Sequence, residues 1–266
     1  MIETALERYY SNSNERLRLN THVLERDRTL QILQQRLPKA PSIVADIGGA
    51  AGVYAFSLAL KGYEVHLADP VPIHIEHAKE QALTSSLNLA SYQVADARYL
   101  ESFSNASVDV VLFFGPLYHL FTGKDRHQAL KEAWRILKPD GLLFASGISR
   151  IASFIDAMHK NAVSRKAAII ERSLTTGVYE KSSEGFNFSY LHHPNELREE
   201  VKGAGFTNIE LISIEGPVWD TRVVLEMHKD PQSWQECLRL LAMIEADETV
   251  IGASAHIMAI GRKLLI

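Results

Sequence analysis

This 266-residue chain has a single cysteine, Cys237. An intrachain disulfide is therefore impossible, which suits a reducing, cytoplasmic setting. No apolar stretch reaches the roughly 18 residues of a membrane span, so no membrane role is expected. Met1–Tyr10 carries Glu3, Glu7 and Arg8 and lacks the apolar centre of a signal peptide. Long basic runs are missing too. With 28 Lys+Arg against 32 Asp+Glu, the net charge is −4, so the chain has no electrostatic footprint for nucleic acid. Internal repeats and low-complexity segments are also absent. The rest is ordinary globular composition, 46% hydrophobic and 23% charged. Such a chain can bury a full core as one domain over 1–266.

The pattern along the chain is alternation. Residues 12–37 read as a helix, with Val23, Leu30, Leu33 and Leu37 near helical spacing and Pro38 as the stop. With that helix, 1–40 forms an N-terminal cap. Ile43–Ile47 is a short apolar run ending in glycines, and a helix over Ala50–Leu60 follows. Strands are expected at Glu64–Ala68, Tyr92–Ala95, Val108–Phe114 and Leu142–Ser146. Helices are expected at Ile73–Leu83 and Asp125–Leu137. Strands alternating with ten-residue helices imply a parallel sheet buried on both faces. Right-handed crossovers then make it a doubly wound α/β fold. The second half is looser. A helix over Pro194–Gly203, a strand over Phe206–Ile214 and a last strand over Ser254–Gly261 are interrupted by two excursions, 147–193 and 215–250. The excursions read as lids over a small-molecule pocket, and they offer surface for pairing with a second copy as a homodimer.

The chemistry sits at Asp46-Ile47-Gly48-Gly49-Ala50-Ala51-Gly52, between a strand and a helix. Glycines there allow a tight turn and close approach of a ligand to the backbone, and the helix start presents unpaired N–H groups. Asp69, at the end of the next strand, suits a ribose diol. Asp46 would disfavour a pyrophosphate but favour an ammonium group. Asp96, after the third strand, can meet an adenine amino group. The dinucleotide spacing G-x-G-x-x-G is not met, because the run from Gly48 is G-x-A-x-G. Bland readings remain beside these. Gly48-Gly49 can be a plain turn, Asp69 a helix cap ahead of Pro72, and Asp96 a cap for the turn that follows it.

Val44–Gly52 resembles motif I of the class I S-adenosylmethionine-dependent methyltransferases. Val65-His66-Leu67-Ala68-Asp69-Pro70 resembles their second motif, and Val94-Ala95-Asp96-Ala97 the third. Val108–Phe114 with Gly115-Pro116-Leu117-Tyr118-His119-Leu120 resembles the fourth strand and its loop. The Ala133–Gly141 run into Leu142-Leu143 is similar to the turn before their fifth strand. The resemblance is strong over 40–146 and moderate over 194–214 and 254–263. It implies a Rossmann-like seven-stranded sheet whose last strand is antiparallel. It implies methyl transfer from S-adenosylmethionine, with S-adenosylhomocysteine as product. Asp46 and Gly48 would then meet the methionine end of the cofactor, with Gly49, Gly52 and Pro70 also among the cofactor-binding residues. Asp69 would hold the ribose hydroxyls, Asp96 and Ala97 would lie at the adenine, and Gly115 near the sulfonium. Ala50 departs from the family pattern, which has glycine there.

The acceptor side carries fewer signals. His119 is a candidate general base, or it packs with Tyr118 against Trp134. Tyr10, Tyr118, Arg150, Tyr190, His192 and Trp219 are candidate substrate contacts. His192 and His193 are adjacent in an extended segment and point to opposite faces, so no metal site is expected. The loop Phe113-Phe114-Gly115-Pro116 is not the Asn/Asp-Pro-Pro-Tyr of amino-methylating nucleic-acid enzymes. The expected acceptor is therefore a small or medium organic molecule whose nucleophilic atom (O, N, S or C) is open. Two alternatives stand beside it: a nicotinamide-dependent oxidoreductase, and a non-catalytic cofactor-binding module on the same fold.

Overall fold

The computed structural model describes residues 18–180 and 188–264. In chain order the elements begin with α1 (Arg18–Thr21), α2 (Val23–Arg36), β1 (Ile43–Ile47), α3 (Val53–Ala59), β2 (Glu64–Asp69), α4 (Pro72–Ser85) and β3 (Ser91–Val94). They continue with β4 (Val108–Phe113), α5 (Pro116–His119), α6 (Gly123–Ile136), β5 (Leu137–Ser149), α7 (Ala152–His159), α8 (Val163–Thr176), β6 (Val178–Glu180) and β7 (Phe188–His192). The last are α9 (Pro194–Gly203), β8 (Phe206–Ser213), α10 (Thr221–His228), α11 (Pro231–Ile244), α12 (Glu248–Ile251) and β9 (His256–Lys263).

The strands run β3-β2-β1-β4-β5 in parallel. β9 is antiparallel to β5 on its other edge, and β8 is antiparallel to β9. These are the seven expected strands with an antiparallel last strand. Two more, β6 and β7, form a hairpin in a stretch where the sequence gives no strand expectation. β7 pairs in parallel with Ile148 and Ser149 of β5. β9 holds one edge of β5 as far as Ile148, and the β4 register stops at Ala145. β7 therefore takes the edge that β4 leaves open. The hairpin was illegible because its Thr/Gly/Ser-rich flanks show no period-2 alternation.

Apolar side chains alternate between the two faces of the sheet, as a doubly covered sheet requires. On one face Ala45, Ile47, Val111 and Phe113 pack with Leu130 and Ala133 of α6 and with Leu197 and Val201 of α9. On the other, Val44, Val110 and Leu112 pack with Ile32 and Leu33 of α2, Leu58 of α3 and Ala78 of α4. The α6 stripe is Arg126, Ala129, Leu130, Ala133 and Ile136, the spacing of one buried helix face. Its start is capped by Thr122 Oγ1, which accepts from the Asp125 amide.

Three boundaries differ from the sequence reading. The helix over 12–37 is broken at His22 where it is described, giving α1 and α2. The turn Pro139-Asp140-Gly141 lies within β5 as a bulge: β4 pairs Val108 with Leu137 and then Val110 with Leu142. Asp140 sits there at φ 66°, a conformation Asp tolerates better than most residues. The second excursion does not stand alone. Val224 of α10 with Trp234, Leu238 and Leu241 of α11 forms a small core with Val23 and Leu24 of α2. Trp234 Nε1 donates to Asp27 at 2.9 Å.

Candidate active site

The C-terminal ends of β1, β2 and β4 and the loop after β3 surround one cavity. That edge is where open α/β sheets bind ligands, because the strand order reverses there. Asp46, Gly48, Gly49, Ala50, Asp69, Pro70, Asp96, Ala97, Gly115, Tyr118 and His119 all line it. Leu19 and Glu25 of the N-terminal helices line it as well.

The turn after β1 is built by close backbone approach. The Gly48 amide donates to Ala68 O at 2.7 Å. Gly48 has φ 70°, and a Cβ there would lie 2.8 Å from Pro116 Cδ. A Cβ on Gly49 would lie 2.6 Å from the Asp46 carboxylate carbon and from Leu67 Cδ1. Gly49→Ala should therefore cost about 1–3 kcal/mol of stability, as overpacking does. Urea unfolding of the variant measures this, and a change below about 0.5 kcal/mol would contradict it. Gly52 does not line the cavity. It caps the start of α3 at φ 84°. Ala50, in the position of the family's middle glycine, also adopts a left-handed backbone, φ 49°, which costs an L-residue about 1–2 kcal/mol. Its amide is held by Asp69 Oδ2 at 2.9 Å.

Asp46 is 1% exposed. Neither of its oxygens has a hydrogen-bond partner of ordinary geometry. Burial first, and the nearby Asp69 charge second, push its pKa up to about 7, while the Ala55 amide holds it down slightly. A buried carboxylate left this way is a demand for a positive or donor group. Asp69 is the opposite case. Its Oδ2 accepts from Ala50, and its Oδ1 accepts from the Val71 amide (2.9 Å) and from His74 Nδ1 (2.9 Å). A carboxylate has about four acceptor positions, so three are taken and one is left, not the two a ribose diol would use. Asp96 Oδ1 accepts from the Arg98 amide at 2.8 Å, and its other oxygen pairs with the Arg98 guanidinium at 2.5 Å. The capping alternative for Asp96 is therefore realised, while the residue still lines the cavity.

The acceptor-side candidates divide. Tyr118 and His119 stack edge to face with centroids 4.4 Å apart, while Trp134 packs on the Lys263 ammonium 3.9 Å from its ring centroid. Arg150, Tyr190, His192 and Trp219 do not reach the cavity. Arg150 is held by Glu196 and by Leu191 O. Tyr190 lies under the Arg126 guanidinium, 3.5 Å from its centroid. His192 is fully buried, with Nε2 3.3 Å from Glu200, and burial pushes its pKa down. Trp219 Nε1 donates to Ala253 O at 2.8 Å. All four are engaged by packing or hydrogen bonds away from the cavity. Tyr10 lies outside the described residues. No motif or spacing marks Leu19 or Glu25, which reach the cavity only because α1 and α2 pack over the sheet edge.

Fold and cavity together define a Rossmann-like α/β domain with a ligand site at its strand ends. Comparison narrows the class. A methyltransferase-domain family model matches residues 45–145. The chain is 29% identical to a ubiquinone/menaquinone biosynthesis C-methyltransferase of Zymomonas mobilis over 53% of this chain and 55% of that protein. It is 26% identical to an uncharacterized methyltransferase of Bacillus subtilis over 69% of this chain and 67% of that one. The match thus spans about half the length of the Zymomonas protein. Among solved structures, a methyltransferase of Methanosarcina mazei superposes with a TM-score of 0.62 at 19% identity, covering 88% of this chain and 98% of that one. Phosphoethanolamine N-methyltransferase 2 of Haemonchus contortus superposes with a TM-score of 0.56 at 19% identity, over 90% of this chain and 53% of that one. Residues 45–145 thus match a methyltransferase domain, and over that region the chain is similar to S-adenosylmethionine-dependent methyltransferases.

Proposed function

We propose that this protein transfers a methyl group from S-adenosylmethionine to a small organic acceptor. The observation that carries the proposal is the Asp46 carboxylate, buried and without a hydrogen bond of ordinary geometry beside a turn whose glycines leave no room for a Cβ. Such a place fits the ammonium of the cofactor's methionine end and disfavours a pyrophosphate. Gly48 and Gly49 would receive that end by their backbone. Asp69 would hold one ribose hydroxyl with its remaining acceptor position, Asp96 and Ala97 would flank the adenine, and Gly115 would lie near the sulfonium. S-adenosylmethionine supplies an already activated methyl group. The protein's part is to align the acceptor in line and to keep water out. Tyr118 and His119 line the same cavity and would shape the acceptor side. The Zymomonas relative, a C-methyltransferase of quinone biosynthesis by name, supports a small acceptor. The lone cysteine, and the lack of a membrane-spanning helix among the described residues, support a cytoplasmic setting.

A thermal-shift titration with S-adenosylmethionine, S-adenosylhomocysteine and NAD tests this. At 100 times its dissociation constant a ligand stabilises the fold by about 2.7 kcal/mol, roughly 5–10 °C for a chain of this size. The expected result is a shift with both sulfur ligands and none with NAD. A shift with NAD alone would return the site to the oxidoreductase reading.

A further inference from the structure

We propose that His74 is a positioning residue for the cofactor's ribose, and that it makes Asp69 read one ribose hydroxyl rather than two. This rests on the methyltransferase reading above. His74 stands in the first turn of α4. It belongs to a buried stripe that continues with Ile75, Ala78 and Ala82. An apolar side chain would pack there without a polar atom to satisfy, whereas a buried imidazole has to be hydrogen-bonded. The ring meets that demand at Asp69, with Nδ1 2.9 Å from Oδ1. Both residues line the cavity, and both are 4% exposed.

Chemistry fixes the direction of that bond. A carboxylate accepts and does not donate, so Nδ1 carries the proton. Asp69 is then held from two sides. The Ala50 amide, in the turn after β1, donates to Oδ2. The Val71 amide and His74 Nδ1, at the start of α4, both donate to Oδ1. A carboxylate oxygen has about two acceptor positions. Oδ1 is therefore filled, and the open position is on Oδ2. A vicinal diol held at two points needs one position on each oxygen, so a single hydroxyl can donate to this carboxylate. The neighbouring Pro70 also lines the cavity and brings no N–H for the other hydroxyl.

The imidazole thus fixes the carboxylate in one orientation and withholds half of the diol contact. Because the His74 ring itself lines the cavity, replacing it with an apolar side chain returns the Oδ1 position to the ligand. A site built this way distinguishes the two ribose hydroxyls. A site with an open carboxylate at the same place treats them alike.

The test is isothermal titration of S-adenosylhomocysteine and its 2′-deoxy and 3′-deoxy forms into wild type, His74→Leu and His74→Asn. In wild type one deoxy form should bind at least about tenfold more weakly than the parent, as loss of a hydrogen bond to a charged group predicts, and the other within about threefold of it. In His74→Leu the smaller penalty should rise above about threefold, since both hydroxyls then reach Asp69. His74→Asn places an amide nitrogen near the Nδ1 position and should restore the wild-type pattern. A merely structural role would weaken all three ligands alike and leave the ratios unchanged. Equal penalties in wild type overturn the proposal, and so do unchanged ratios in His74→Leu. If His74→Leu does not fold, His74→Met, with a flexible side chain that fills irregular space, takes its place. In 15N spectra His74 should carry a proton on Nδ1, and a ring protonated at Nε2 alone overturns the proposal whatever the titrations give. The S-adenosylhomocysteine titration is read first. Its failure in wild type overturns the methyltransferase reading and the ribose role with it, whereas its success with equal deoxy penalties overturns only the role of His74.

Discussion

Asp46→Asn should give a protein that is harder to unfold and unable to hold its cofactor. The carboxyl has a pKa of about 7 in the folded chain against 3.8 for an ordinary aspartate, a difference worth about 4 kcal/mol at about 1.36 kcal/mol per unit. The sign follows from proton binding. The folded state holds this proton more tightly than the unfolded state does. The group therefore costs nothing below about pH 4, and its cost grows as pH rises towards 7, where it levels off. An asparagine is never ionised. At pH 8 the variant should melt roughly 8–16 °C higher than wild type, at 2–4 °C per kcal/mol, and the gap should shrink as pH is lowered to 5. Scanning calorimetry at the two pH values checks both halves. The same titration predicts that cofactor affinity in wild type rises about tenfold between pH 6 and 8, because an ammonium needs the ionised acid. A variant no more stable at pH 8 than at pH 5, relative to wild type, would contradict the account.

The second large effect runs the other way. Asp69→Ala removes the acceptor for the Ala50 and Val71 amides and for His74 Nδ1, all at a residue that is 4% exposed. Donors left buried without a partner, together with loss of a charged acceptor, should destabilise the protein by about 3–5 kcal/mol. The loss occurs before any ligand is added. It also releases Ala50 from the bond that helps hold its left-handed backbone, so the turn after β1 should loosen as well. Urea unfolding of the ligand-free variant gives the number, and amide exchange at Ala50 and Val71 reads the loosening. A loss under 1 kcal/mol would mean that Asp69 serves the ligand alone.

These two acids show what the sequence could and could not convey. Both are legible as candidate site residues, because Asp69 ends an apolar strand and Asp46 lies one residue before the end of another, each ahead of a helix. Their states were not legible. Whether a carboxylate is orphaned or saturated depends on amides and an imidazole that the chain path brings near it, and spacing does not encode that. The parallel half of the sheet was readable for a similar reason. Strands such as Val108–Phe113, buried on both faces, are nearly unbroken apolar runs bounded by glycine and proline. The β6–β7 hairpin was not readable, since its strands are short and only partly buried. Arg150, Tyr190 and His192 have the chemistry of pocket residues, yet Glu196, Arg126 and Glu200 engage them elsewhere.

Among the described strands β9 is the last in sequence but not the last in space. It fills the slot between β5 and β8, and among the described residues β8 pairs with no other strand. As the chain emerges from the ribosome, the cofactor half of the sheet can close early on neighbouring strands. Meanwhile one edge of β5 and all of β8 remain open backbone ladders, the kind of edge on which chains pair wrongly with one another. The nascent protein is therefore most exposed to aggregation just before β9 arrives. The arrival of that strand also brings His256 Nδ1 onto the Glu215 carboxylate, so the edge that endangers the chain closes in the same event that pins the segment after β8.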